Sequence, residues 1–117
     1  MKYEIDRYDN GNIKKECWLL HGNHYHREDG PAIIKYYENG NKKSEYYLIN
    51  NKIHNENGPA IIKYYENGNK KMEYWSENGK WHRLREPAII EYDINGNIII
   101  KEYFLRGKLV DELAVLV

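Results

Sequence analysis

The chain has 117 residues, one domain's worth, and no stretch approaches the roughly 20 consecutive apolar residues of a membrane-spanning helix. Eighteen basic residues balance eighteen acidic ones, so the formal charge is zero, which argues against the one-sided field of a general DNA or RNA binder. The single cysteine, Cys17, excludes a disulfide or thiolate framework within the chain and reads as a small, half-buried strand residue.

The first stretch, MKYEIDRYDNGN, lacks the apolar run of a secretory signal, which makes the cytoplasm of a microbial or infected host cell the expected location. Tyr3 and Ile5 alternate with Glu4 and Asp6 as in a first strand. Asn10-Gly11 follows, the strongest short-range hairpin signal, and a second strand runs through Cys17 and Trp18. A turn at Gly22-Asn23 and a His-rich polar loop close this unit.

A second unit opens at Gly30 with GPAIIKYYENGNKK, and the same fourteen residues recur unchanged at Gly58 to Lys71. Pro31, Pro59 and Pro87 step by 28, as do His26, His54 and His82. The Asn-Gly pairs at Asn10, Asn39, Asn67 and Asn95 step by 29, 28 and 28. Four copies fit, about 1–29, 30–57, 58–85 and 86–117, in a single domain. A period of this length is the signature of stacked supersecondary units, each stabilised by its neighbours. The outer copies are atypical, as end units are: the first lacks Pro-Ala, and the fourth has Val110 in place of His.

The expected fold is therefore all-β: an elongated, twisted antiparallel sheet of about four 28-residue hairpins, eight or nine strands, with little or no helix. The final residues, Leu113 to Val117, fall where a further first strand would start and read as a ninth strand or an apolar closing flap. Alternation puts Ala32, Ile34 and Tyr36 on the buried face, with Ile33, Lys35 and Tyr37 opposite. A two-residue turn at Asn39-Gly40 would pair Ile34 with Glu45 and Ala32 with Tyr47. A three-residue loop, Glu38-Asn39-Gly40, shifts pairing by one and is preferred, because it groups Ser44, Tyr46, Met72 and Tyr74 with the apolar set.

The segments WSENGKWHRLREPA at Trp75 to Ala88 and YLINNKIHNENGPA at Tyr47 to Ala60 resemble the MORN repeat, a β-hairpin unit with an aromatic-containing strand, then Asn-Gly-Lys, then His-Gly-x-Gly. The likeness spans essentially the whole chain and is strongest to divergent bacterial and giant-virus variants, some of them antitoxin-like. The chain departs from the common unit in its 28-residue period and in Arg27, Asn55 and Arg83, which stand where that unit has Gly. The resemblance implies an elongated sheet serving as a scaffold or protein-contact surface, in some relatives proposed to touch phospholipids.

Candidate chemistry is sparse. His26, His54 and His82 are equally spaced, but residues one repeat apart stand two strands apart, roughly 9 to 10 Å, too far for one zinc ion with its ~2 Å bonds. They read as loop-pinning groups, and the denser cluster His21, His24 and His26 reads as solvated loop before it reads as a metal site. Glu16, Glu45, Glu73 and Glu102 are taken as equivalent second-strand positions, one per copy, which suits cross-strand pairing with Lys or Arg better than acid-base catalysis. No nucleophile with a base and no Gly-rich phosphate loop stands out, so no catalytic residue, metal or cofactor is expected.

The Lys14-Lys15, Lys42-Lys43 and Lys70-Lys71 pairs could line a phosphate-binding stripe, but neighbouring lysines point to opposite faces and each has a Glu nearby. With twelve Tyr and three Trp against one Phe, an aromatic contact surface is the stronger expectation. Its residues are Trp18, Tyr47 and Trp75 in one row with Tyr8, Tyr37 and Tyr65, and Trp81 and Arg83 near the loops. The expected function is a non-enzymatic module that binds another protein, antitoxin-like or inhibitory. The alternatives are a virus- or phage-encoded inhibitor of a host defence nuclease, of the anti-CRISPR kind, and a phospholipid- or phosphate-binding scaffold. The open sheet edges and Leu113 to Val117 are the expected routes to a homodimer.

Overall fold

The computed structural model describes residues 1–116. Each unit contributes a long hairpin and then a short one. The long hairpins are β1 (Lys2–Arg7) with β2 (Ile13–Leu20), β4 (Ile33–Tyr36) with β5 (Lys42–Tyr46), β8 (Ile61–Tyr64) with β9 (Lys70–Tyr74), and β12 (Ile89–Tyr92) with β13 (Ile98–Leu105). The short ones pair the end of β2 with β3 (His24–Tyr25), β6 (Leu48–Ile49) with β7 (Lys52–Ile53), β10 (Ser76–Glu77) with β11 (Lys80–Trp81), and the end of β13 with β14 (Lys108–Val110). The main sheet runs β1-β2-β4-β5-β8-β9-β12-β13-β14, antiparallel throughout, and is a thin slab of 48 × 37 × 18 Å. The all-β expectation holds. The end segment is a one-turn helix, α1 (Glu112–Val115), whose Val115 is buried beside β13, so it forms a flap and not a ninth repeat strand; Val117 lies outside the described residues.

The long turns are the three-residue loops preferred from sequence. Tyr37 donates its N–H to the Asn41 carbonyl, Gly40 donates to the Tyr37 carbonyl, and Gly40 sits at φ 92°, a conformation that costs glycine nothing. The pairing drawn from that loop is nevertheless wrong. Ile34 stands opposite Glu45 and Ile62 opposite Glu73, the register assigned to a two-residue turn. The reason is a β-bulge one step into each hairpin: Tyr36 pairs with Lys42 but Lys35 pairs with Ser44, leaving Lys43 extra, and Lys14, Lys71 and Ile99 are skipped in the same way. A bulge inserts one residue and so cancels the one-residue shift of the loop.

One row therefore crosses eight strands: Ile5, Glu16, Ile34, Glu45, Ile62, Glu73, Ile90, Lys101. Glu102 is not equivalent to the other glutamates; it pairs with Ile89, as Tyr74 does, and Lys101 holds the fourth copy's place in the row. Ser44, Tyr46, Met72 and Tyr74 face away from Ala32 and Ile34, contrary to the sequence expectation. Ala32, Ala60 and Ala88 are wholly buried where one strand hands over to the next, their backbones bonded to both neighbours. Cys17 is more buried than expected, and desolvation pushes its thiol pKa up.

Three side-chain ladders join successive units. At the long turns, the Tyr8, Tyr37 and Tyr65 hydroxyls donate to the carbonyls of Tyr36, Tyr64 and Tyr92, while Asn12, Asn41 and Asn69 reach the carbonyls of Glu38, Glu66 and Ile94. Across the sheet, Tyr36, Tyr64 and Tyr92 donate to Glu16, Glu45 and Glu73. At the short hairpins, the Nδ1 atoms of His26, His54 and His82 accept the backbone N–H of Asn50, Asn78 and Arg106 in the next unit, at 3.0, 3.1 and 2.9 Å.

Each ladder stops in the last unit by a change of residue. Asp93 replaces the turn tyrosine and turns inward onto Asn95 and Asn97, whose donation holds its carboxyl below the usual carboxylate range. Lys101 replaces the glutamate, and Val110 replaces the histidine that would have no further turn to grip.

Candidate functional site

Three loops, His26–Pro31, His54–Pro59 and His82–Pro87, line one end of the sheet. Each starts at a histidine tied to the next unit and ends at the proline that sets φ for the coming strand. The residue after the histidine folds back to the proline carbonyl: Arg27 Nη1 to Pro31 at 3.2 Å, Asn55 Nδ2 to Pro59 at 3.0 Å, Arg83 Nη1 to Pro87 at 3.1 Å. The arginines also lie flat on tryptophans, with guanidinium carbons 3.8 Å from the Trp18 ring centre and 3.7 Å from that of Trp75.

Among the differences between the second and third copies, Tyr47 against Trp75 and Asn55 against Arg83 thus fall at one corner. Trp with Arg, and Tyr47 with Asn55, are alternative fillings of the same corner. Trp75→Tyr or Arg83→Asn alone is expected to cost about 1 kcal/mol or more, and the double variant less than the sum, with a coupling of about 1 kcal/mol. Urea melts of the four proteins measure it; strict additivity is the contrary result.

The third loop departs from the other two in sequence and in backbone. Leu84 stands where the others have Glu28 and Glu56, and it is 68% exposed. Arg85 adopts φ 67°, in the left-handed region that a bulky side chain enters at a cost, whereas neither Asp29 nor Asn57 does. In the first two loops the histidine Nε2 approaches its own loop's glutamate, at 3.5 Å for Glu28 and 3.6 Å for Glu56. Leu84 removes that carboxylate, and His82 Nε2 lies instead 3.5 Å from Glu77 on β10. A cleft of about 290 Å³ runs between Asn55 and Glu56 on one side and Trp75, His82, Arg83 and Leu84 on the other. Leu84 was not singled out from sequence, although the replacement of Glu-Asp-Gly and Glu-Asn-Gly by Leu-Arg-Glu was the visible signal.

The sequence-derived contact residues do not form one stripe. Trp18, Tyr47, Trp75 and Arg83 gather at the loop end. Tyr37 and Tyr65 lie at the opposite, turn end, half-buried and spent as staples between units, with Lys43 and Lys71 over their rings. Trp81 stacks on Tyr74, ring centres 5.3 Å apart. Tyr74 and Trp75 are consecutive and point to opposite faces, so Trp81 lies on the reverse side from Trp75. Two causes act: Tyr37 and Tyr65 flank the long turns while Tyr47 and Trp75 follow the far ends of β5 and β9, and the bulge moves the second-strand set to the other face.

The lysines of the first three long hairpins are engaged within the sheet. Lys42 and Lys70 pair with Glu45 and Glu73 at 3.2 and 3.3 Å, and Lys14, Lys35 and Lys63 lie over the rings of Tyr8, Tyr46 and Tyr74. His21 and His24 are exposed at the first short turn while His26 is buried, and among the described residues no three His, Cys, Asp or Glu side chains gather as a metal site. No helix among the described residues is long and apolar enough to cross a membrane. Comparisons of the chain with protein-family models, with curated proteins and with solved structures find no significant match.

Proposed function

We propose that this chain is a non-enzymatic protein-binding module whose contact surface is the loop end, centred on Leu84 and Arg85 and bordered by Trp75, Arg83 and Tyr47. The observation that carries this reading is the third loop. It alone carries an exposed leucine, and it alone holds a bulky residue at positive φ among the three loops. Strain kept at an exposed position, where stability does not require it, is typical of sites retained for contact. The flanking Trp75 and Arg83 are of the residue types that anchor protein interfaces. That the Lys42-Lys43 and Lys70-Lys71 pairs are occupied within the sheet favours a protein partner over a phosphate-bearing surface along that stripe.

The resemblance to antitoxin-like MORN-type repeats supports an inhibitory role, in which capture blocks the partner's own activity. The test is affinity capture from cells of the source organism with the wild-type chain and with Leu84→Asp as baits, both checked for identical melting. Leu84 touches no ladder, so stability is expected to stay within about 0.5 kcal/mol while partner recovery falls at least tenfold. Equal capture by the two baits would remove the proposed surface. The identity of the captured protein separates a resident toxin from a host nuclease.

A further inference from the structure

End units of a stacked array normally turn a polar face outward. The first strand is mixed: β1 interrupts the exposed Tyr3 and Ile5 with Glu4 and Asp6 and ends in Arg7. The last long strand opens without such an interruption. Where β5 and β9 begin Lys-Lys-Ser and Lys-Lys-Met, β13 begins Ile98-Ile99-Ile100, exposed by 49, 61 and 40%, with Ile94 exposed in the turn above. β14 pairs only with Tyr103 to Leu105, and although α1 packs beside β13, Ile98 to Ile100 stay exposed with no strand on their outer side. An unguarded apolar edge is what natural sheets avoid unless something covers it.

We propose that this edge is the interface of a two-fold homodimer, the second copy covering Ile98 to Ile100 with its own. Charge decides the arrangement. A head-to-tail joint would continue the internal registers, Glu45 with Ile62 and Tyr46 with Ile61, which sets Glu102 opposite Glu4. It would also bring Arg7, which stands in the place of Tyr36, Tyr64 and Tyr92, onto Lys101, which stands in the place of their glutamates. Both meetings join like charges and are unfavourable.

Turned about a two-fold axis, the edge meets itself antiparallel. Ile99 then lies against Ile100 of the second copy and Ile98 against the aliphatic stem of its Lys101, with no like charges opposed. The bulge at Ile99 limits backbone pairing, so the isoleucine side chains carry the contact. A formal charge of zero removes the repulsion that would keep two copies apart. The contact is closed, so assembly stops at two.

Sedimentation equilibrium tests this. The wild-type chain is expected at twice its 14.1 kDa mass. The variant carrying Ile98→Lys, Ile99→Lys and Ile100→Ser is expected at the single mass. It should fold, because the same three residues occupy the same positions in β5, and Ile99→Lys alone is the milder second variant. Ile5→Asp on the far edge is expected to leave the dimer intact. A monomeric wild-type chain, a dimer retained at full strength by both edge variants, or a dimer lost through Ile5→Asp would each overturn the proposal.

Discussion

Glu45→Ala is expected to destabilise the fold by about 2–3 kcal/mol, lowering the melting temperature by roughly 10 °C. Its carboxylate is buried in the middle of the sheet and accepts from the Tyr64 hydroxyl at 2.5 Å and from Lys42 Nζ at 3.2 Å. Alanine leaves the Tyr64 hydroxyl without an acceptor, opens a gap between Ile34 and Ile62, and releases Lys42 to solvent. Because each unit leans on its neighbours, the loss falls on the joint between the second and third units. Glu45→Gln keeps an acceptor for Tyr64 and gives up only the charge, so its cost is expected to be smaller, about 1 kcal/mol. Glu56→Ala, at an exposed loop position, serves as the neutral comparison. Thermal and urea melts of the three variants check the order, and a Glu45→Ala protein as stable as Glu56→Ala would show that the ladder contributes nothing.

Alkaline unfolding is the second large expected effect, and it follows from the same row. Burial first, and then donation to a carboxylate, raises the pKa of Tyr36, Tyr64 and Tyr92; that of Tyr92 is pushed up to about 12, and the other two go higher. An acid whose pKa is raised by folding gives its full stabilisation while both states keep the proton, below the ordinary tyrosine value near 10. Above that value the unfolded chain ionises and the folded one does not, so stability falls as pH rises through about 10 to 12 and beyond. Stability is therefore expected to show no pH dependence from these tyrosines below about pH 9, where their contribution is fully present, and to drop steeply above pH 10. Tyrosinate absorbance should show exposed tyrosines titrating first and these three only as the sheet melts. Tyr64→Phe should lower stability at neutral pH by about 1 kcal/mol and make the alkaline fall shallower. Reversible titration of all twelve tyrosines with the sheet intact is the result that would refute it.

Much of the architecture was legible in the residues because a repeat exposes its own grammar. Asn-Gly at the long turns has a local cause and was legible, and so was the burial of Ala32 and Ile34; the alternation does not hold throughout, because Ile61 and Ile89 on the opposite face are buried as well. The three-residue loop was also legible. The bulge at Lys43 was not, because nothing in Lys-Lys-Ser distinguishes a bulged residue from a paired one, and one missed residue exchanges the two faces of a strand. That one slip put the second-strand aromatic residues on the wrong face, whereas Glu102 was set apart by the period itself, since it lies seven residues after Asn95 and the other glutamates lie six after their Asn.

The candidate site was half legible. Trp75, Arg83, Tyr47 and Asn55 stood out as places where copies differ, but sequence could not tell that Arg83 lies on the Trp75 ring while Tyr47 and Asn55 line one cleft. Leu84 escaped notice because an isolated surface leucine is ordinary; its exposure and the left-handed Arg85 beside it give it weight.

The period, the hairpin turns, the all-β class and the identity of the end units are written in the residues, because turn chemistry and binary alternation act over a few neighbours. Which residues share a face, and what the recurring histidines, tyrosines and glutamates hold, emerges from the folded sheet. It also decided why the last unit replaces them with Val110, Asp93 and Lys101. The first depends on a bulge inside each hairpin, and the rest on hydrogen bonds between residues 19 to 28 positions apart, which form only once one hairpin lies against the next.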